Sequence, residues 1–186
     1  DVTLTVISVT DPDLVITDFG AGVSAGEYVV DYRVDNDAVS AFDISLFTSS
    51  DGVTIDDPSS PLATASIAAA ATGSYSESFD LSAANLPDGT HLIAWVDALV
   101  DSNDEIVADG QIAEASEANN ALTLFAPSVA SLGGPSVTRG DTLTLTAEVA
   151  DVDGTVAQVA FYDDFNGNGV LDAGDALLGI DANGGD

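Results

Sequence analysis

The chain has 186 residues, 46% of them apolar, enough for one large domain or two small ones of sandwich size. Thirty-two acidic residues stand against two basic ones, Arg33 and Arg139, giving a formal net charge of −30; this excludes nucleic acid, whose phosphates need a basic face, and electrostatic docking on anionic lipid. A chain without cysteine has no disulfides, thiolate metal sites or cysteine nucleophiles, and no apolar run approaches the roughly 18 residues that span a bilayer.

Residues 1–10 hold a strand-forming run, Val2–Val9 (VTLTVISV), ahead of what reads as the first strand of a domain, Leu14–Phe19. Either the sequence is a window of a longer tandem protein and this is the last strand of a preceding module, or the run completes the open sheet of a neighbouring chain. In Glu27–Asp35, Tyr28, Val30, Tyr32 and Val34 alternate with Val29, Asp31, Arg33 and Asp35, the period of a half-buried strand. Phe42, Ile44 and Leu46 repeat the pattern, and Tyr75, Glu77, Phe79 and Leu81 repeat it more weakly. Ala63–Ala71 is alanine-rich, but its flanking Pro and Gly favour a strand and a loop over a helix. Leu92, Ala94 and Val96 alternate with His91, Ile93 and Trp95, which suggests a central strand covered on both faces. Ala121–Ala126 is the last strand before a boundary at Pro127, so that residues 11–126 carry seven strands, a complete sandwich.

Residues 127–186 offer about four strands, Ser128–Ser131, Thr142–Val149, Val156–Tyr162 and Ala176–Ile180. Thr142–Val149 has the cleanest alternation, with Leu143, Leu145, Ala147 and Val149 expected inward. Four strands cannot close two packed sheets, so this segment reads as a partial domain.

The first domain resembles the CARDB module, a cell-adhesion-related immunoglobulin-like domain of bacterial and archaeal surface proteins. The resemblance covers Asp13–Phe125: PDLVITDF, VSAGEYVVDYRVDN, LFTSSDGVTIDDPSSPLATASI, LPDGTHLIAWVDA and the closing acidic signature EASEANNALTL. The segment Asp101–Gln111 departs from it as a longer link before that signature. TLTLTAEVADVDGTVAQVAFYDD with NGNGVLDAGDALLG resembles the start of a bacterial immunoglobulin-like repeat of large surface proteins. Together these imply an all-β chain of tandem immunoglobulin-like β-sandwiches, the second incomplete within this chain. They also imply an extracellular or cell-surface location and a structural or adhesive role.

The strongest chemical signal is Asp164–Asp175, DFNGNGVLDAGD. A calcium loop of the EF-hand type supplies oxygens at positions 1, 3, 5, 7 (through its carbonyl), 9 and 12, with glycine at 6. Those positions are Asp164, Asn166, Asn168, Val170, Asp172 and Asp175, with Gly169 sixth and the apolar Leu171 at position 8, where it is expected to pack inward. Position 12 is Asp where EF-hands carry Glu, as in dockerin-like and adhesin-repeat loops. The flanks carry strand patterning, so the expected role of calcium is to stiffen a sandwich. Asp151 with Asp153 reads as an ordinary turn. Asp101, Asn103, Glu105 and Asp109 mimic a calcium loop with Ile106 in the glycine slot, and Asp51, Asp56 and Asp57 bracket a hairpin, either as ligands or, the favoured reading, as solvated acids.

His91 is the one histidine, and no motif sets a serine on a strained elbow, so no enzymatic activity is expected. Two classes remain. In one, the modules are structural units of a fibre or surface layer whose partners are copies of itself or neighbouring immunoglobulin-like modules. In the other, they are adhesion modules for a carbohydrate or cell-surface ligand, for which Trp95 is the one aromatic candidate.

Overall fold

The computed structural model describes residues 11–87, 89–103, 105–107, 110–135, 142–153, 155–169 and 171–182. The strand expected over Val2–Val9, the Val170 carbonyl and Asp109 lie outside the described residues. Every regular element described is a β-strand and every pairing is antiparallel. The chain is all-β, of the β-sandwich class, and divides into two compact units, Asp1–Ala126 and Pro127–Asp186.

In the first unit, β1 (Asp13–Ala21), β2 (Glu27–Asp35) and β5 (Gly73–Asp80) form one sheet in the order β1-β2-β5. A second sheet joins β4 (Ala63–Ile67), β3 (Phe42–Ser49), β6 (His91–Val96) and β9 (Ala121–Leu124) in the order β4-β3-β6-β9. The inward residues follow from the alternation. Val30, Tyr32 and Val34 from β2 meet Phe42, Ile44 and Leu46 from β3, and Leu92, Ala94 and Val96 from β6, in one core. Full burial of side chains of this size stabilises by about 1.5–3 kcal/mol each. Along β1 the buried residues are Leu14, Ile16 and Phe19, a break in parity. A bulge causes it: Ile16 pairs with Tyr32 and Asp18 with Asp31, so Thr17 is the extra residue that returns Phe19 to the core.

The outer face of the four-stranded sheet is partly covered as well. Phe47 and Ile93, which pair across β3 and β6, are both buried, whereas Trp95, opposite Ser45 and Ala121, is half-buried. After β6 the chain forms a small hairpin of β7 (Leu99–Val100), just before the long link of the sequence, with β8 (Ile106–Val107), within it.

The second unit has a different character. β10 (Ser128–Gly133) pairs with β11 (Thr146–Ala150), and β12 (Val159–Asp163) pairs with β13 (Ala176–Asp181), as two separate two-stranded sheets. The core residues all belong to the first unit; among the described residues here, Val129, Leu132, Leu177, Leu178 and Ile180 are exposed. β11 is shorter than the expected Thr142–Val149. Gly133, the last residue of β10, pairs with Thr146, and residues 142–145 have no ladder partner among the described residues. The alternation persists, with Leu145, Ala147 and Val149 half-buried and Leu143 exposed.

Candidate functional site

The loop Asp164–Asp175 joins β12 to β13, and its own side chains organise it. Asp164 accepts from the backbone N–H groups of Gly167 (2.7 Å), Asn168 (3.2 Å) and Gly169 (2.8 Å), the fourth, fifth and sixth loop positions. Asn166 Oδ1 accepts from Asn168 N–H at 3.0 Å. The side-chain amides of Asn166 and Asn168 both donate to Asp172 Oδ2, at 2.7 and 3.1 Å. Asp175 accepts from Phe165 N–H at 3.3 Å and Asp172 N–H at 2.9 Å, tying the loop's two ends together. Gly169 has φ of 73°, left-handed backbone that a side chain resists and glycine adopts freely.

The structure thus gathers Asp164, Asn166, Asn168, Asp172 and Asp175 into one hydrogen-bonded turn. The Gly174 N–H, with the two asparagine amides, holds the Asp172 carboxyl below its ordinary value. Among the described residues no three His, Asp or Glu side chains meet at one point suited to a metal. In the loop the carboxylates are turned onto N–H donors, and two of the expected ligands are asparagine oxygens. Leu171 does not pack inward; it is 56% exposed, and among the described residues of the second unit none is buried.

Asp51, Asp56, Asp57 and Asp101 resolve into separate turn caps. Asp51 Oδ1 accepts from Val53 and Thr54 N–H and from the Ser49 hydroxyl; the Thr54 and Val53 bonds pull its carboxyl down to about 2. Asp56 caps Ser50, and Asp57 caps Ser59. Asp101 accepts from Asn103 and Glu105 N–H in the β7–β8 turn, which lowers its carboxyl below the usual range. Asp151, ahead of β12, keeps a buried Oδ1 with no hydrogen bond. His91 is a packing residue: Nδ1 accepts from Ala126 N–H at 2.9 Å, and its ring meets Phe125 edge-on.

One group escaped the sequence reading. Asp97, which follows β6, is fully buried in left-handed backbone, with φ of 59°. Its Oδ2 accepts from Gln111 N–H (2.9 Å) and Ile112 N–H (2.7 Å), while its Oδ1 is buried without a hydrogen bond. Gly110 makes this approach feasible, since a Cβ there would collide with Asp97 Oδ2. Glu114 Oε2 accepts from Leu14 N–H at 2.5 Å. Asn120 is 2% exposed; its amide donates to Glu114 Oε1 (3.3 Å) and Glu117 Oε2 (2.9 Å), and its Oδ1 is buried without a partner. Burial pushes the Glu114 carboxyl up to about 7 against the pull of Leu14 N–H, and the charges of Glu117 and Asp97 push the same way. Burial raises Asp97 as well, against the Ile112 and Gln111 bonds and with help from the Asp43 charge. In sequence Glu114, Glu117 and Asn120 lie in the acidic stretch EASEANN, singled out only as part of a resemblance, and Asp97 lies in WVDA; neither segment marks the two as meeting.

Comparison with protein-family models, with curated proteins and with solved structures finds no match to this chain.

Proposed function

We propose that this chain is a non-catalytic structural repeat of an extracellular surface or fibre protein, built from tandem immunoglobulin-like modules of which the second is incomplete. In this reading calcium at Asp164–Asp175 stiffens the second module, and strand exchange with copies of itself or with neighbouring modules completes it. One observation carries the reading. The second unit holds two separate two-stranded sheets with Val129, Leu132, Leu177, Leu178 and Ile180 exposed, and two-stranded sheets are marginal in water unless something covers them. The run Val2–Val9 has the composition of a strand that such an edge would accept.

Three further observations support parts of this reading. Among the described residues the first unit sets seven of its nine strands in two sheets, ordered β1-β2-β5 and β4-β3-β6-β9, an arrangement that suits an immunoglobulin-like sandwich. The loop at 164–175 offers only oxygen donors, the preference of a hard cation. His91 is engaged with Ala126 and Phe125, which leaves the usual nucleophile–base chemistry without its base.

Deleting residues 1–10 tests the exchange. The native chain is expected to form species larger than one copy by light scattering, and the deleted chain to run as a monomer. Equal masses for the two would remove strand exchange from the proposal. A native chain that is monomeric and retained on a glycan or cell-surface column would favour the adhesion role.

A further inference from the structure

The group around Asp97 poses an electrostatic problem that the first unit does not solve with its own side chains. Asp97, Glu114 and Glu117 lie close enough for the charges of Asp97 and Glu117 to act on Glu114, and Asp43 acts on Asp97. Like charges out of water repel strongly unless a cation or proton intervenes. Among the described residues the only Lys or Arg side chain, Arg33, is engaged with Asp35 at 2.6 Å.

The unpartnered oxygens narrow the choice. Asp97 Oδ1 and Asn120 Oδ1 belong to side chains that are 0% and 2% exposed, and neither accepts a hydrogen bond. A bond from Val96 N–H to the Asn120 carbonyl, 2.9 Å, sets the two residues beside each other at the end of β6. The Asn120 amide cannot simply be turned over, because its nitrogen faces two carboxylates that an oxygen would repel. A buried acceptor left unmade costs about 1–3 kcal/mol, and two of them in one group with the carboxyls of Glu114 and Glu117 suit a ligand that is positive and binds oxygen.

We propose that Asp97, Asn120, Glu114 and Glu117 form a binding site for Ca²⁺ in the first unit, distinct from the loop at 164–175. The donor set is oxygen alone, which suits a hard cation, and its irregular disposition suits calcium better than magnesium, which demands near-octahedral geometry. Asp97 Oδ1 and Asn120 Oδ1 are the fixed ligands, held by β6 and by the 110–112 backbone that grips Asp97 Oδ2. Glu114 and Glu117 lean on Leu14 N–H and the Asn120 amide, and no three acids yet share a point. Binding therefore swings the half-buried Glu117 onto the ion. The ion would tie β1, β6 and the segment before β9 together through Leu14, Asp97 and Asn120.

The test is a residue-resolved amide NMR titration of the full chain with CaCl₂ alone. It is run on the native sequence and on a chain with the other loop disabled by Asp164→Ala and Asp172→Ala. Saturable shifts at the Leu14, Gln111 and Ile112 amides are expected in both chains, with Kd in the extracellular range of about 10⁻⁴–10⁻³ M. Asp97→Asn keeps an oxygen for the two backbone donors and should abolish those shifts. Glu117→Gln, at a half-buried position, should weaken binding by about tenfold or more and serves if Asp97→Asn does not fold. No saturable movement at these amides up to about 10 mM, ten times the weak end of that range, would overturn the proposal, as would unchanged binding in Glu117→Gln. The Gly167, Asn168 and Gly169 amides report the 164–175 loop separately, so failure of either site is read without the other.

Discussion

Asp164 holds its turn through three backbone N–H groups, Gly167 and Asn168 on Oδ1 and Gly169 on Oδ2. Asp164→Asn keeps one acceptor oxygen and loses the other, so it is expected to lower calcium-free stability by about 1 kcal/mol. Its calcium affinity, read by titration calorimetry, should fall at least about tenfold. Gly169→Ala forces a Cβ into left-handed backbone and should cost the loop about 1 kcal/mol. Asp51 provides a pH signature in the first unit. Its carboxyl is held at about 2, below its unfolded value of 3.8, so the native state holds the ionised form more tightly. Its stabilising contribution is therefore present above about pH 4 and is lost as pH falls through 3.8 toward 2. Acid unfolding followed by circular dichroism should show less loss across that window in Asp51→Asn than in the native chain.

At the level of elements, β2 and β3 were legible because one face of each meets a core. Tyr32 and Val34, or Ile44 and Leu46, alternate with residues of the opposite face, and the alternation is what a reader sees, although in β3 that opposite face is covered too, at Ser45 and Phe47. Three features were hidden. The bulge at Thr17 breaks parity without a glycine to mark it. The β7–β8 hairpin has strands of two residues, too short for any period. The best-patterned strand of all, Thr142–Val149, is trimmed because pairing depends on a partner's length, which a strand's own residues do not encode. The hydrogen-bonded turn at 164–175 was legible because its Asp, Asn and Gly residues are local and evenly spaced. The Asp97 group was not, because Asp97 lies in a different segment from Glu114, Glu117 and Asn120, and 32 acids leave little contrast. Burial separates the two units energetically. Leu46→Ala, at a fully buried position of β3, should cost about 2–5 kcal/mol in chemical denaturation. Leu178→Ala, 55% exposed on β13, should stay within about 0.5 kcal/mol for the isolated chain yet weaken any assembly that covers this strand.

For the whole molecule, a net charge of −30 means that any compact or assembled state works against its own repulsion. Divalent cations bound at discrete sites relieve that repulsion locally, whereas monovalent salt screens it generally over about 8 Å at physiological strength. Stability that returns with millimolar calcium in constant sodium chloride would point to sites. Stability that follows bulk salt alone would assign the acidity to a solvated surface. The same contrast applies to assembly, since the exposed strands of the second unit need a partner and the charges oppose its approach. The most direct measurement is therefore the light-scattering mass of the native chain in calcium, and again after chelation at the same ionic strength. A mass of several copies that falls on chelation is the expected result. A single-copy mass in both conditions would contradict a calcium-stiffened, self-associating repeat.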